Sequence, residues 1–320
     1  MSIGKIVTSE DAKEIGEDGK FNRQHNRFTT PFGNEVGMLP VEAGRYRLLW
    51  SAVCPWAHRS VIAIRLLGLE NVISIGQASP VRTINGWEFS LDAGGVDPVL
   101  GIRYLPEIYA RSDPNYSGRA TVPAVVDVKL GKVVNNDYFN LTYYWETAFK
   151  PFHKPQAPDL FPIDLRKDIK QFNQILFDEL NNGVYKAGFA QSQQAYEDAY
   201  QLVFNRLDKL EHHLSHSRYL FGNQITDADI RLYVTLARFD VAYYAVFKTN
   251  RNRLTDFPNL WAYARELYQI PAFGDSTDFQ SIKKGYWLGS HGNNPYDILP
   301  LGPDVSIWQT PHNRDKQFPA

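Results

Sequence analysis

Residues 45–68 read RYRLLWSAVCPWAHRSVIAIRLLG, and the junction in their middle decides the fold. The first nine, 45–53, have the aromatic, branched and apolar make-up of a buried strand. They pass without a spacer into Cys54-Pro55, where proline suits the first helical position because its missing N–H would have no partner there. The spacing then predicts a helix with Ala57, Val61 and Ile64 on one face. Gly68 ends it, as a residue that turns left-handed past a helix C-terminus without steric cost. A strand feeding a helix in this way belongs to an α/β sheet, and here it delivers a cysteine to the helix N-terminus.

Working outward, NVISIG (71–76) predicts a second strand. A long loop containing NGWEF (85–89) precedes a helix expected over about 101–111. TVPAVVDV (121–128) and GKVV (131–134) predict two further strands, and an aromatic helical run follows over about 136–149. Strand, helix, strand, helix, strand, strand, helix is the order of a small mixed sheet of thioredoxin type, assigned to residues 45–150. Residues 1–44 lack regular apolar patterns and are expected to wrap the surface as an extension. The proline-rich KPFHKPQAPDLFP breaks every pattern, so a linker is expected at 151–162.

From 163 to 320 the patterns predict an all-helical domain with a coil tail from about 270. Tyr196, Tyr200, Val203, Leu207, Leu210 and Leu214 recur at steps of four and three, the stripe of a helix buried along one side. Thr226-Asp227-Ala228-Asp229 places a hydroxyl at N-cap and a carboxylate at N3, the pair that satisfies free amides at a helix start. Ile230, Val234, Ala237, Val241 and Tyr244 are expected on its buried face, and another helix over 257–269.

Lys and Arg total 34 against 35 Asp and Glu, so nothing favours a nucleic-acid surface. No apolar run is long enough to span a bilayer, and the polar N-terminal stretch has no secretory h-region, so neither membrane nor export is expected. One cysteine in 320 residues forms no intrachain disulfide and fits a reducing compartment, so the cytoplasm is the expected location. Aromatic residues make up 14% of the chain, enough both to fill cores and to line a pocket for a flat ring, and composition does not separate the two.

At a helix N-terminus, outward N–H groups and the positive dipole end favour thiolate, the nucleophilic form. His58 and Arg59, one turn on, can add positive potential. Disulfide oxidoreductases of this layout carry C-x-x-C, but Ala57 stands where the second thiol would be. An adduct on Cys54 must therefore be resolved by a thiol from solution, an abundant small thiol such as glutathione. Cys–His acyl transfer is the competing chemistry. Its histidines are poorly placed: EHHLSH (211–216) ends a helix, while His25, His153, His291 and His312 have no motif around them. Val122-Pro123 in TVP is expected to be cis and to leave Val122 free to pair with a peptide-like thiol. Asp137 and Tyr138 open the next helix, where a carboxylate holds an amino group or simply caps.

Cys54-Pro55-Trp56-Ala57-His58-Arg59, NGWEF, DPNYSGRATVP (113–123), GVYKAGFA (183–190), GNQITDADIRL (222–232) and RFD (238–240) occur in one order along the chain. Together they resemble the glutathionyl-hydroquinone reductases, the Xi class of glutathione transferases. The resemblance implies a thioredoxin-like domain, an all-helical domain, a homodimer, glutathione as co-substrate and no metal. It also implies that Cys54 removes glutathione from a glutathionyl-hydroquinone and that a second glutathione resolves the mixed disulfide. By the same resemblance Trp87 and Arg119 lie close to glutathione, with Arg119 available for a carboxylate, and Val122 pairs with its backbone. Tyr185 and Tyr286, in KKGYWLGSH, face the hydroquinone. The family has Glu-Ser where this chain has Asp137-Tyr138, which changes the arm length of the acid and moves the hydroxyl outward. An omega-like thiol transferase or dehydroascorbate reductase, and a non-catalytic ligand-binding relative, are the alternatives.

Overall fold

The computed structural model describes residues 14–288 and 294–319, so His291 lies outside the described residues. The chain forms two compact units. Among the described residues, one comprises Glu14 and 23–158, the other 15–22, 159–288 and 294–319.

In the first unit the elements are β1 (Tyr46–Trp50), α1 (Pro55–Leu67), β2 (Ile73–Gln77), α2 (Leu105–Ser112), β3 (Ala124–Asp127), β4 (Lys132–Asn135) and α3 (Leu141–Glu146). The sheet runs β2-β1-β3-β4, with β1 parallel to β2 and antiparallel to β3, and β3 antiparallel to β4. β1 is central and buried along its whole length, which is why it reads as a mostly apolar run rather than an alternation. Its one charge, Arg47, bonds Asp97 at 3.0 and 2.8 Å. Gly76 makes room for that pair, because a Cβ there would stand 2.6 Å from the Asp97 carboxylate. Gly68 ends α1 at φ 73°, as its position after the last apolar residue predicts. α3 covers only the middle of the expected 136–149 run, because 136–140 is a turn capped by Asp137.

In the second unit the helices are α4 (Arg166–Leu176), α5 (Gly183–Gly188), α6 (Gln193–Leu214), α7 (Asp227–Arg238), α8 (Tyr244–Val246), α9 (Pro258–Tyr268), α10 (Pro271–Gly274), α11 (Phe279–Trp287) and α12 (Arg314–Gln317). α6 buries Ala195, Ala199, Val203, Phe204, Leu207, Leu210 and Leu214. Tyr196 and Tyr200, expected in that stripe, are half-exposed, since two small alanines form its N-terminal part instead. α7 is buried all round and opens on the reciprocal Thr226/Asp229 cap. Asp229 also accepts from the Leu220 amide at 3.0 Å and the Tyr263 hydroxyl at 2.8 Å.

Two expectations need correction here. The tail is not plain coil. It contains α11, and Trp308 is buried against Trp261, Phe279 and Tyr268, with ring centroids 5.0, 5.1 and 5.4 Å away. Arg314 anchors α12 by bonding Glu266 at 2.9 Å and the Leu214 carbonyl at 3.2 Å. The buried tyrosine after α7 is Tyr243, not Tyr244. The turn Phe239–Tyr243 is π-helical, so the α-helical spacing that placed Tyr244 on the buried face does not hold across it. A second π-helical turn, Phe177–Asn181, precedes α5.

Candidate active site

In the thioredoxin-like unit Cys54 is the N-cap of α1, with Pro55 at the first helical position. Its thiol donates to the Val122 carbonyl at 3.2 Å. The Val122-Pro123 bond is cis. The neighbouring Thr121 carbonyl accepts from the Tyr109 hydroxyl at 2.7 Å, which fixes this segment from α2. The carbonyl that faces the sulfur is the group an extended peptide would use for main-chain pairing.

Trp56, buried one residue past Pro55, packs on Tyr138 at 5.3 Å. The guanidinium groups of Arg23 and Arg59 lie 4.8 and 5.0 Å from its centroid. Arg59 is fully buried and donates to the Tyr138 carbonyl at 3.3 Å, so its charge stands on the Tyr138 side. His58 is buried too, 6.1 Å from the Trp50 ring.

Asp137 serves as a cap. Its carboxylate accepts from the Phe139 and Asn140 amides at 3.3 and 3.4 Å, from the Asn140 side chain at 2.8 Å and from the Asn26 side chain at 3.4 Å. Arg119, expected close to glutathione, has partners within its own unit. One end of its guanidinium bonds the buried Glu14 carboxylate at 2.8 Å, and Gln24 clamps its backbone at 2.9 and 3.0 Å. Trp87, in the loop between β2 and α2, lies under the Arg82 guanidinium at 5.6 Å. The sequence reading missed Glu14, Arg23, Gln24 and Arg82, since single polar residues in loops carry no periodicity.

In the helical unit Tyr185 and Tyr286 meet through their hydroxyls at 2.5 Å. Tyr243 joins them at 3.4 and 3.2 Å. Burial holds Tyr243 and Tyr286 well above the ordinary tyrosine range, so both are neutral phenols that donate and accept. Phe247 packs against all three rings, and Phe189 and Phe21 extend the cluster. Tyr243 was hidden from the sequence by the π-helical turn. Among the described residues no group of three or more His, Cys, Asp or Glu is placed to hold a metal ion, and no helix is long and apolar enough to cross a membrane.

A thioredoxin-like unit with a helix-capping cysteine beside a cis-proline, joined to a helical unit, defines the glutathione transferase class. The family profile "Glutathione S-transferase, C-terminal domain" matches residues 193–266. The chain is 39% identical to glutathionyl-hydroquinone reductase YqjG of Escherichia coli, over 96% of this chain and 95% of that one. It is 38% identical to glutathione S-transferase omega-like 2 of Schizosaccharomyces pombe, over 91% and 96%. A glutathione transferase from Gordonia bronchialis superposes with TM-score 0.85 at 49% identity, over 87% of each chain. The chain belongs to the glutathionyl-hydroquinone reductases, the Xi class of glutathione transferases.

Proposed function

We propose that this protein is a glutathione-dependent reductase that strips glutathione from glutathionyl-hydroquinones through Cys54. The observation that carries the reading is the Cys54 thiol at the N-terminus of α1, bonded to the Val122 carbonyl, in a sequence with no second cysteine. In the first half-reaction the Cys54 thiolate attacks the sulfur of the aryl thioether. The S–S bond forms, the aryl C–S bond breaks, and its electron pair goes to the ring carbon, which takes up a proton. In the second, a glutathione thiolate attacks the mixed disulfide, releasing glutathione disulfide and the Cys54 thiolate. The substrate ring is reduced by two electrons and two glutathionyl sulfurs are oxidised.

Trp87, Arg119, Val122, Asp137 and Tyr138 are assigned to the glutathione moiety, and Tyr185, Tyr243 and Tyr286 to the hydroquinone oxygens. The family likeness supports a homodimer, and the single cysteine a reducing cytoplasm. The omega-like relative in Schizosaccharomyces pombe supports a second reading, reduction of glutathione mixed disulfides.

Intact-protein mass after incubation with a glutathionyl-hydroquinone, before and after excess glutathione, tests the proposal. One glutathionyl adduct on Cys54 that the second addition removes is expected, and none in Cys54→Ala. Absence of any adduct on the wild type, or full turnover by Cys54→Ala, overturns it. Turnover of an alkyl mixed disulfide but not of the aryl thioether selects the second reading.

A further inference from the structure

Strand order fixes what lies along the active edge of the sheet. β2 is parallel to β1, β3 is antiparallel to β1 and β4 is antiparallel to β3. The end of β2, Cys54 after β1, Val122 before β3 and Asp137 after β4 therefore follow one another along a single edge, in the order β2-β1-β3-β4. Strands about 4.8 Å apart make this edge roughly 14 Å long. An extended tripeptide at about 3.3–3.6 Å per residue is about 10–11 Å long and covers most of that edge. With its γ-glutamyl end at Asp137-Tyr138 and its cysteinyl residue at Val122, the glycyl end falls to the loop after β2.

That loop carries Arg82, whose guanidinium lies over the Trp87 ring at 5.6 Å. The Arg82 Nε–H is closed off from solvent and has no hydrogen-bond partner among the described residues. The same holds for the Nε–H of Arg119, whose other end bonds Glu14 at 2.8 Å. Burial and, behind it, the Arg119 charge bring the Arg82 pKa down to about 10, against the opposing pull of Glu14. Two cations thus share one carboxylate, leaving a net positive charge and two shielded donors. Shielded donors without acceptors are costly, and an incoming carboxylate relieves that cost. A guanidinium held on an aromatic face presents its edge to such a group with little ordering left to do.

We propose that Arg82, backed by the Nε edge of Arg119, is the subsite for the glycyl carboxylate of the thiol substrate. The inference rests on the glutathione reading above and adds to it a residue that selects for a free C-terminal carboxylate.

The test compares glutathione with its glycyl monoethyl ester on wild type, Arg82→Met and Arg82→Lys, using tryptophan-fluorescence binding and KM in the resolving half-reaction. A charge-assisted bond predicts that the wild type binds the ester roughly ten- to hundredfold more weakly than glutathione. Arg82→Met is expected to weaken glutathione binding by a similar factor and to remove the preference for the acid over the ester; a circular-dichroism spectrum and melting temperature matching the wild type show that the variant is folded. Arg82→Lys should recover part of the loss. Equal binding of ester and acid by the wild type, or undiminished glutathione binding by Arg82→Met, overturns the inference alone. A wild type that neither binds nor turns over glutathione overturns both the inference and the function it rests on.

Discussion

Tyr286→Phe isolates the role of the buried phenols. The change removes one hydroxyl, bonded at 2.5 Å to Tyr185 and 3.2 Å to Tyr243, and leaves the ring packed on Phe247. The remaining Tyr185–Tyr243 contact, at 3.4 Å, keeps those two hydroxyls partnered, so little is stranded. Two bonds of about 0.5–1.5 kcal/mol each, partly compensated, predict a loss of about 1–2 kcal/mol. For a unit of this size that lowers the melting temperature by roughly 2–8 °C. If the same hydroxyls bond the oxygens of a hydroquinone, kcat/KM on a glutathionyl-hydroquinone falls by roughly 5- to 30-fold. The assay is the ratio of kcat/KM on that thioether to kcat/KM on an alkyl–glutathione mixed disulfide, which lacks ring oxygens. Only the first is expected to fall. Both phenols stay protonated throughout the working range, so the ratio should shift equally at pH 6 and pH 9. An unchanged ratio, with the stability loss present, would refute the assignment of these tyrosines to the substrate.

Asp229→Ala strips four bonds from a fully buried carboxylate (the Leu220 and Thr226 amides and the Thr226 and Tyr263 hydroxyls) and should cost about 3–5 kcal/mol in chemical denaturation, with unchanged glutathione affinity in the surviving folded protein. Gly188→Ala would drive a methyl group into the Phe247 ring, so calorimetry should find about 1–3 kcal/mol of destabilisation. The KM for the aromatic substrate should rise with it, and that for glutathione should not. Asp137→Asn keeps an oxygen acceptor for the Asn140 amide but removes the charge. Titration calorimetry should show glutathione binding weakened about tenfold and N-acetylglutathione binding unaltered, since the ammonium partner is what is lost.

The parts of this fold that were legible share one property, a local physical reason that fixes them. A central strand buried on both sides is mostly apolar, and in β1 the one charge, Arg47, is paired with Asp97. A proline directly after a cysteine marks the helix start, and the Thr226/Asp229 cap is a four-residue pattern that formed in full. What escaped depends on register or on distance. A π-helical turn leaves no trace in composition, so the α-helical spacing that pointed to Tyr244 missed the buried Tyr243. The helix α11 was hidden behind a tail rich in glycine, proline and aromatic residues. Trp308 and Arg314 are ordered there by contacts to helices distant in sequence, not by propensity. Glu14 bonds Arg119 across 105 positions, a pairing that no window along the chain can reveal.

The division of the N-terminal stretch sets an order of events during synthesis. Residues 15–22 join the helical unit, although 23–158 build the other one. Gly19 accepts from the Gln191 amide, the Asp18 carbonyl accepts from the Ser192 hydroxyl 174 positions away, and Phe21 packs on Phe189. At roughly 5–20 residues per second, a ribosome takes on the order of 10–35 s to make that distance. Throughout that interval Phe21 is on the growing chain without the surface that will bury it, and the sheet that follows it has all of its strands once Asn135 is made, before Phe189 is. The N-terminal strip docks late. A gene cut after codon 158 would yield a second product that lacks the strip 15–22, which the first product carries away with it.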